Sequence, residues 1–487
     1  MVLKQVKNQH LLWRCSFGAG VKDLLTLPTA NPVDWYKEIE KKSAGEPVYL
    51  DVVSSEAKSL LTELKGKGGI QNMKDSVSAA EKKQLRMQSQ QDLKTLSLTW
   101  LDTMVNTEAQ LREKMAFFWH GHFASRVINI YYQQLLLQSI RVNALGSFGN
   151  LLKAVSKSAC MLQFLNNQQN RKEHPNENFA REVMELFTLG RGNYTEEDVK
   201  EAARAFTGWG FDAEGNFTSR PFWHDNGSKT FLGRTGNFTG DDILDILLEQ
   251  KQTAVYITQK IYRYFVNDQP AGNHINWLAD RFYQSNYNIG GLMHDIFTAD
   301  WFYEERNIGQ RIKSPVELLA GIRRMLPMTI QNTEVQLLYQ RVLGQQLFYP
   351  PNVAGWPGGK SWIDSSSLMA RLRLPQLIND NAVFAIKPKA DDDVQMGMME
   401  KFKAAAATGN KGAFQMNAAV NWPAYTNAFA HLPKEQLYNG IERVLLQTKT
   451  GSVNPAAVQG ITNSTSREDY IKTTTIALMS TPEYQLS

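Results

Sequence analysis

Four of the chain's eight histidines, His120, His122, His174 and His224, fall within one stretch that also carries carboxylates and side-chain amides. His120 and His122 flank Gly121 inside the aromatic run Phe117 to Phe123. In an extended or broken backbone, residues i and i+2 point the same way and two imidazoles reach one metal ion; in a regular helix they diverge by about 200°. Gly121 favours the break. His120, His122 and His224 are therefore the expected metal ligands, and Zn, Mn or Fe the divalent cofactor that mixed histidine and carboxylate ligation suits. The alternative is that aromatic-flanked histidines are hydrogen-bonded core residues.

A second cluster runs Asn166-Asn167-Gln168-Gln169-Asn170, then His174-Pro175-Asn176-Glu177-Asn178-Phe179-Ala180-Arg181-Glu182-Val183-Met184-Glu185-Leu186. Pro175 suits a helix start, after which Phe179, Val183 and Leu186 make an apolar stripe and Asn178, Glu182 and Glu185 a parallel polar one. Glu182 then lies at the edge of the core, where a carboxylate is either paired or used, because burying it alone is costly or shifts its pKa. Pairing would run through Arg181 and Arg204. Use would make Glu182 a general base or metal ligand with Glu185 behind it, and Asn170, Asn176, Asn178 and Arg181 the substrate-binding groups.

The third segment is Trp223-His224-Asp225-Asn226-Gly227-Ser228-Lys229-Thr230. His224 beside Asp225 supplies ligands or an acid/base pair, and Lys229 holds an anionic group. Gly227-Ser-Lys-Thr lacks the first glycine and the spacing of a phosphate loop, and no strand is predicted before it. A fourth segment, Pro350 to Trp362, is a Pro/Gly loop in which Trp356 forms a sugar-stacking wall or a lid, or else pins the loop to its own domain.

Helical periodicity dominates the elements that carry these groups: Ser78 to Asn106, Glu108 to Phe118, Thr253 to Phe265, Ser314 to Met325, Ser367 to Leu374 and Glu435 to Gln447 all read as amphipathic helices. Thr195 with Asp198 and Thr239 with Asp242 mark helix starts. VYLDVV at Val48 to Val53 is the clearest strand candidate. The expected fold is all-α, a large multi-helix globular fold with long irregular loops and at most minor β hairpins. A main helical domain is expected over 1–386 with a sub-boundary near 107, a variable insertion or linker over 387–425, and C-terminal helices packing on the main domain over 426–487; Lys65 to Ser76, rich in Gly and Lys, is a second peripheral segment.

Composition narrows the partners. The net charge of +5, drawn from 53 basic and 48 acidic side chains mixed along the 487 residues, does not make a phosphate-tracking surface, so no nucleic acid is expected. No run is apolar enough for a membrane span and no signal peptide is visible, which reads as soluble and cytoplasmic by default. Cys15 and Cys160 match no metal or redox spacing.

Taken in order, HLLWRCSFG, REKMAFFWHGHF, PNENFAREVMELFTLGRGNYTEEDVKEAARAFTGW, HDNGSKTFLG, RIKSPVELL and PPNVAGWPGGKSW resemble the bacterial family catalogued as domain of unknown function 1800, over nearly the whole chain. The resemblance marks His10, Arg14, His120, His122, Asn176, Glu177, Asn178, Arg181, Glu182, Glu185, His224, Asp225 and Lys229 as positions of the pattern without assigning roles. It also implies an exported or periplasmic setting and association with a sulfatase-like protein.

The leading expectation is a divalent-metal-dependent hydrolase acting on a polar substrate, a saccharide or an ester, with Glu182, Glu185, Asp225 and Lys229 as catalytic groups. The second is a metal-free carbohydrate-active protein in which two of Glu177, Glu182, Glu185 and Asp225 flank the scissile bond while Trp223, Trp356 or Trp362 stacks on the sugar. The third is a non-enzymatic structural or assembly protein.

Overall fold

A computed structural model describes residues 2–55, 57–58, 78–212, 214–382, 415–448 and 451–487. Lys65 to Ser76 and the 387–414 part of the expected insertion lie outside the described residues.

The architecture is all-α with minor β hairpins. Ten helices carry or support the groups singled out above: α1 (Lys4–Cys15), α2 (Ala79–Asn106), α3 (Gln110–His122), α4 (Ile130–Asn143), α5 (Glu177–Glu182), α6 (Glu196–Ala205), α7 (Lys251–Phe265), α8 (Pro315–Met325), α9 (Ser365–Asn379) and α10 (Arg467–Met479). Their starts reflect local chemistry. Ser78 with Glu81, Thr195 with Asp198 and Ser314 with Glu317 form reciprocal capping boxes, each hydroxyl and carboxylate meeting a backbone N–H that the first turn leaves unpaired. α5 begins two residues after Pro175, with Asn176 as its N-cap accepting from Asn178 N at 3.0 Å.

Three antiparallel ribbons are described: β1 (Trp209–Phe211) with β2 (Phe217–Ser219), β3 (Lys229–Phe231) with β4 (Arg234–Gly236), and β5 (Met328–Ile330) with β6 (Ala418–Val420). Val48 to Val53 is not a strand. Side chains of α4 take over its backbone groups: Gln134 Oε1 accepts from Val52 N at 2.9 Å and Arg141 Nη1 donates to Val48 O at 2.6 Å. The β-branched sequence stays extended, but its ladder partners are side chains and not a second strand.

Buried apolar side chains from Leu11 to Tyr484 belong to one cluster. The last residues return to the centre, where Ile312 bridges Leu486 and Arg311 N donates to Ser487 O at 3.0 Å. Among the described residues no helix is long and apolar enough to cross a membrane.

α3 lies deepest. Every one of its residues except Gly121 is buried, including Arg112, Glu113 and Lys114. A helix enclosed on all sides offers its charged residues no route to water, so each finds a partner inside. Arg112 donates to the carbonyls of Ser43, Ala44, Arg141 and Val142. Glu113 accepts three bonds from Arg141 and one from Trp100 Nε1 at 2.8 Å. Lys114 reaches the opposite side, toward α8.

Candidate functional site

His120 and His122 sit in the last turn of α3, and the helix does not break at Gly121: Phe123 N still donates to Trp119 O at 2.8 Å. The two rings therefore diverge. His120 packs against Trp100, Phe348 and Trp356, whereas His122 packs against Phe118, Trp119, Phe123, Phe148 and Phe187. Burial pulls the His120 imidazole down to about 3, so it stays neutral, and its Nε2 accepts from Phe348 N at 3.2 Å. Phe348 has φ +65°, and this bond helps to hold that left-handed residue.

His224 faces elsewhere, with Nδ1 3.0 Å from Thr207 O. Among the described residues no three His, Cys, Asp or Glu side chains gather to hold a metal ion. The expected ligands His120, His122 and His224 thus do not fit a shared Zn, Mn or Fe, because helical geometry and aromatic packing fix each ring toward a different neighbour.

His120→Ala is accordingly expected to lower stability by about 2–4 kcal/mol, from a cavity plus an unpaired Phe348 N–H. Urea unfolding checks this, and an unchanged midpoint would show that His120 does not hold the loop.

The Pro350 to Trp362 loop is pinned onto the end of α3. Gly355 has φ +80° and a Cβ there would come 2.4 Å from Gly121 O, while a Cβ on Gly121 itself would meet nothing within 4 Å. Gly355→Ala should therefore destabilise by roughly 1–3 kcal/mol and Gly121→Ala should stabilise by roughly 0.5–1 kcal/mol. Paired thermal melts of the two variants test the contrast. Of the three tryptophans expected to stack on sugar, Trp362 is buried, Trp223 has Arg171 and Arg220 guanidiniums 3.9 and 4.6 Å from its ring, and Trp356 remains half-buried.

Several expected binding groups are spent inside their own loops. Asn170 is fully buried, donating to Ala203 O at 2.8 Å and accepting from Asn176 N at 2.8 Å. Asn178 donates to Leu165 O at 3.1 Å. Arg181 pairs with Glu196 and Glu177. Asp225 takes two bonds from Arg204, which also holds Glu201. Lys229 is 1% exposed and donates to Asp225 O at 2.6 Å and Gly227 O at 3.0 Å. Its ammonium thus closes the turn before β3.

Glu182 differs from all of these. The backbone widens after α5 into a π-turn over Val183–Thr188, closed by Leu189 N donating to Met184 O at 2.9 Å. The carbonyls freed by that turn are received by α7: Tyr256 OH donates to Glu185 O at 3.1 Å and Lys260 Nζ to Leu186 O at 3.1 Å. Lys260 also donates to His122 Nδ1 at 3.2 Å, and burial pulls its ammonium down to about 8.

Glu185 accepts from Tyr194 OH at 2.8 Å and lies 3.3 Å from Arg191 Nε. Glu182 is half-buried and takes part in none of the described hydrogen bonds or ion pairs. Burial first, and the charge of Glu185 second, raise the Glu182 carboxyl above its ordinary value, with Arg181 a smaller opposing influence. Two surface hollows of about 360 and 210 Å³, beside His294 and Asn129 respectively, contain none of the expected site residues.

A charged centre lies between α1, α3, α7 and α8. Glu317 Oε1 receives Lys114 Nζ and Tyr264 OH, the latter at 3.2 Å, while Arg311 Nη2 stands 3.7 Å from Glu317 Oε2. Arg14, Lys313 and Arg371 are fully buried around it. Burial opposes ionisation of Glu317, but Lys114, Arg311 and the Ser314 backbone N–H outweigh it and hold the carboxyl far below the usual range. Burial pulls Lys114 down to about 8, with Glu317 opposing.

The family model described as Protein of unknown function (DUF1800) matches residues 10–486. The chain belongs to that family. No curated protein and no solved structure is matched by it.

Four of the six distinctive blocks of this DUF1800 chain fall into two groups in space. HLLWRCSFG, REKMAFFWHGHF and RIKSPVELL supply Arg14, Lys114, Arg311, Lys313 and Glu317 to the charged centre, whereas the PNENFAREVMELF block supplies the two acids at the π-turn. Sequence reasoning missed Lys114, Lys260, Tyr264 and Glu317. A usable signal existed for Lys114, a cation inside a run too apolar to have a wet face. Lys260 and Tyr264 stand at positions of an ordinary amphipathic helix, so only packing sets them apart.

Proposed function

We propose that this DUF1800 protein is a hydrolase of a polar substrate, a saccharide before an ester, working through the carboxylates of the π-turn. The observation that carries this is the unequal setting of Glu182 and Glu185: one half-buried carboxyl with a raised pKa and no described partner, beside one held by Tyr194 and Arg191. A carboxyl with a raised pKa beside a second carboxyl is how one site supplies acid and base together.

In this scheme Glu182, protonated, gives its proton to the leaving oxygen as the bond to that oxygen breaks. Glu185, as carboxylate, takes a proton from the attacking water. Tyr194 and Arg191 orient Glu185. Tyr256 and Lys260 keep the widened turn in place by receiving its carbonyls, which fixes the spacing of the two acids. No step is routed through a metal, since the histidines have no common point to gather at.

Hydrolysis of a panel of chromogenic glycosides and carboxylic esters, with and without chelator, tests this. Turnover that survives chelation supports carboxylate chemistry. Turnover lost with chelator and restored by a divalent ion, or none for either class above the buffer rate, overturns it.

A further inference from the structure

The charged centre is out of balance. Five cations, Lys114, Arg14, Arg311, Lys313 and Arg371, are buried around Glu317, the one Asp or Glu among the described residues within ion-pair distance of any of them, while Asp268 acts on Arg14 from farther away. Moving a charge out of water costs several kcal/mol unless an opposite charge accompanies it. Carbonyls and waters satisfy N–H donors, but they do not cancel net charge.

Arg14 has unmet donors. Its Nη2 donates to Asn307 O at 3.2 Å and to a carboxyl oxygen of the final residue, Ser487, at 2.8 Å, while Nε and Nη1 have no acceptor among the described residues although the side chain is fully buried. Arg311 is attached to the same place through its backbone, exchanging bonds with Ser487 at 3.0 and 2.7 Å. Its guanidinium lies 4.3 Å over the Tyr264 ring and falls short of Glu317 by hydrogen-bond standards. Burial first, and the charge of Arg311 second, lower the affinity of Arg14 for its proton.

We propose that this part of the core holds one oxyanion, a phosphate, a sulfate or a small carboxylate, between Arg14 and Arg311. The unmet N–H donors of Arg14 and the guanidinium of Arg311 receive its oxygens, since guanidinium groups match such oxygens in both charge and geometry. Lys114 and Tyr264 form the far wall and already belong to Glu317. Arg311, whose side chain is 10% exposed, stands where the site meets solvent. This site is separate from the acid pair of the π-turn and does not depend on that chemistry.

The test uses the full chain, exchanged exhaustively into buffer with chloride as the only small anion and then denatured, with the released anions measured by ion chromatography. About one equivalent of phosphate, sulfate or a small carboxylate per chain is expected, the chromatogram telling the three apart, and Arg311→Gln should release about fivefold less. Should that variant fail to fold, the unaltered chain still decides the matter through its melting temperature. An emptied site predicts a rise of roughly 2–4 °C in phosphate or sulfate over chloride at equal ionic strength. Under about a tenth of an equivalent released, together with equal melting in all three salts, overturns the proposal and leaves the charge balanced by the protein's own groups.

Discussion

Glu182→Gln is expected to lower turnover about 100-fold or more while leaving the melting temperature unchanged or slightly higher. Glutamine keeps the shape of the carboxyl and removes its proton-donating capacity, so the loss falls on chemistry. The sign of the stability effect comes from the pKa. Burial first and Glu185 second raise the Glu182 carboxyl in the folded state. The folded protein therefore holds that proton more tightly than the unfolded chain does. Whatever Glu182 contributes to stability is present below the unfolded carboxyl pKa and disappears as pH rises through the raised folded value.

At neutral pH the side chain is thus a mild liability, and an uncharged isostere relieves it, as at sites kept for function. The same proton sets the rate profile: turnover should fall as pH rises through the raised Glu182 pKa, and Glu182→Gln should erase that limb. Turnover equal to that of the unaltered protein, or melting and activity lost in step, would remove Glu182 from the mechanism. Tyr194→Phe offers a graded companion, since it removes the bond at 2.8 Å that orients Glu185 without removing an acid.

Glu317→Gln should do the reverse, collapsing stability by about 3–5 kcal/mol. The carboxylate is 2% exposed, opens the capping box of α8, and neutralises Lys114 and Arg311. Without its charge, Lys114 and Arg311 lose their one ion-pair partner among the described residues. Because Glu317 is held far below the usual carboxylate range, its contribution is in full force above the unfolded carboxyl pKa. It is lost only as pH falls through the depressed folded value.

Lys114→Met alone should also destabilise, leaving Glu317 with Arg311 at 3.7 Å and Tyr264. A double variant, Lys114→Met with Glu317→Gln, should cost less than the sum of the two, and the shortfall measures their coupling. Urea unfolding of the four proteins gives the cycle. A Glu317→Gln midpoint within about 1 kcal/mol of the unaltered protein would mean that the centre tolerates its own charge, contrary to the cost of buried unpaired ions.

Much of the secondary structure was legible because its causes are local. The capping pairs at Thr195 and Thr239 depend on residues three apart, and the structure starts α6 and the helix Gly240–Glu249 at them. Arg181 and Arg204 do form salt bridges, with Glu177 and Glu201 within one helical turn of them, but neither ion-pairs with Glu182, the acid they were expected to hold. Val48 to Val53 was misread because β-branched residues announce an extended backbone without announcing what pairs with it. Gly121 was misread as a break because glycine permits one, while the ladder through Phe123 N and Trp119 O, closed in by aromatic packing on both sides, keeps the helix going.

The order of residues along the chain was enough to specify an all-α fold, its helix starts, its family and the block in which Glu182 and Glu185 lie, all of which rest on interactions within a few residues or on pattern. Tertiary structure alone decided that the histidines part company, that Lys229 and Asp225 close their own turn, and that Lys114, Glu317, Arg311 and Arg14, distant in sequence, meet in the core. Whether a side chain is free or spent depends on which distant group reaches it. That choice is made by packing an apolar helix with no wet face into the centre of the molecule, and apart from the apolar run around Lys114 it leaves no local trace.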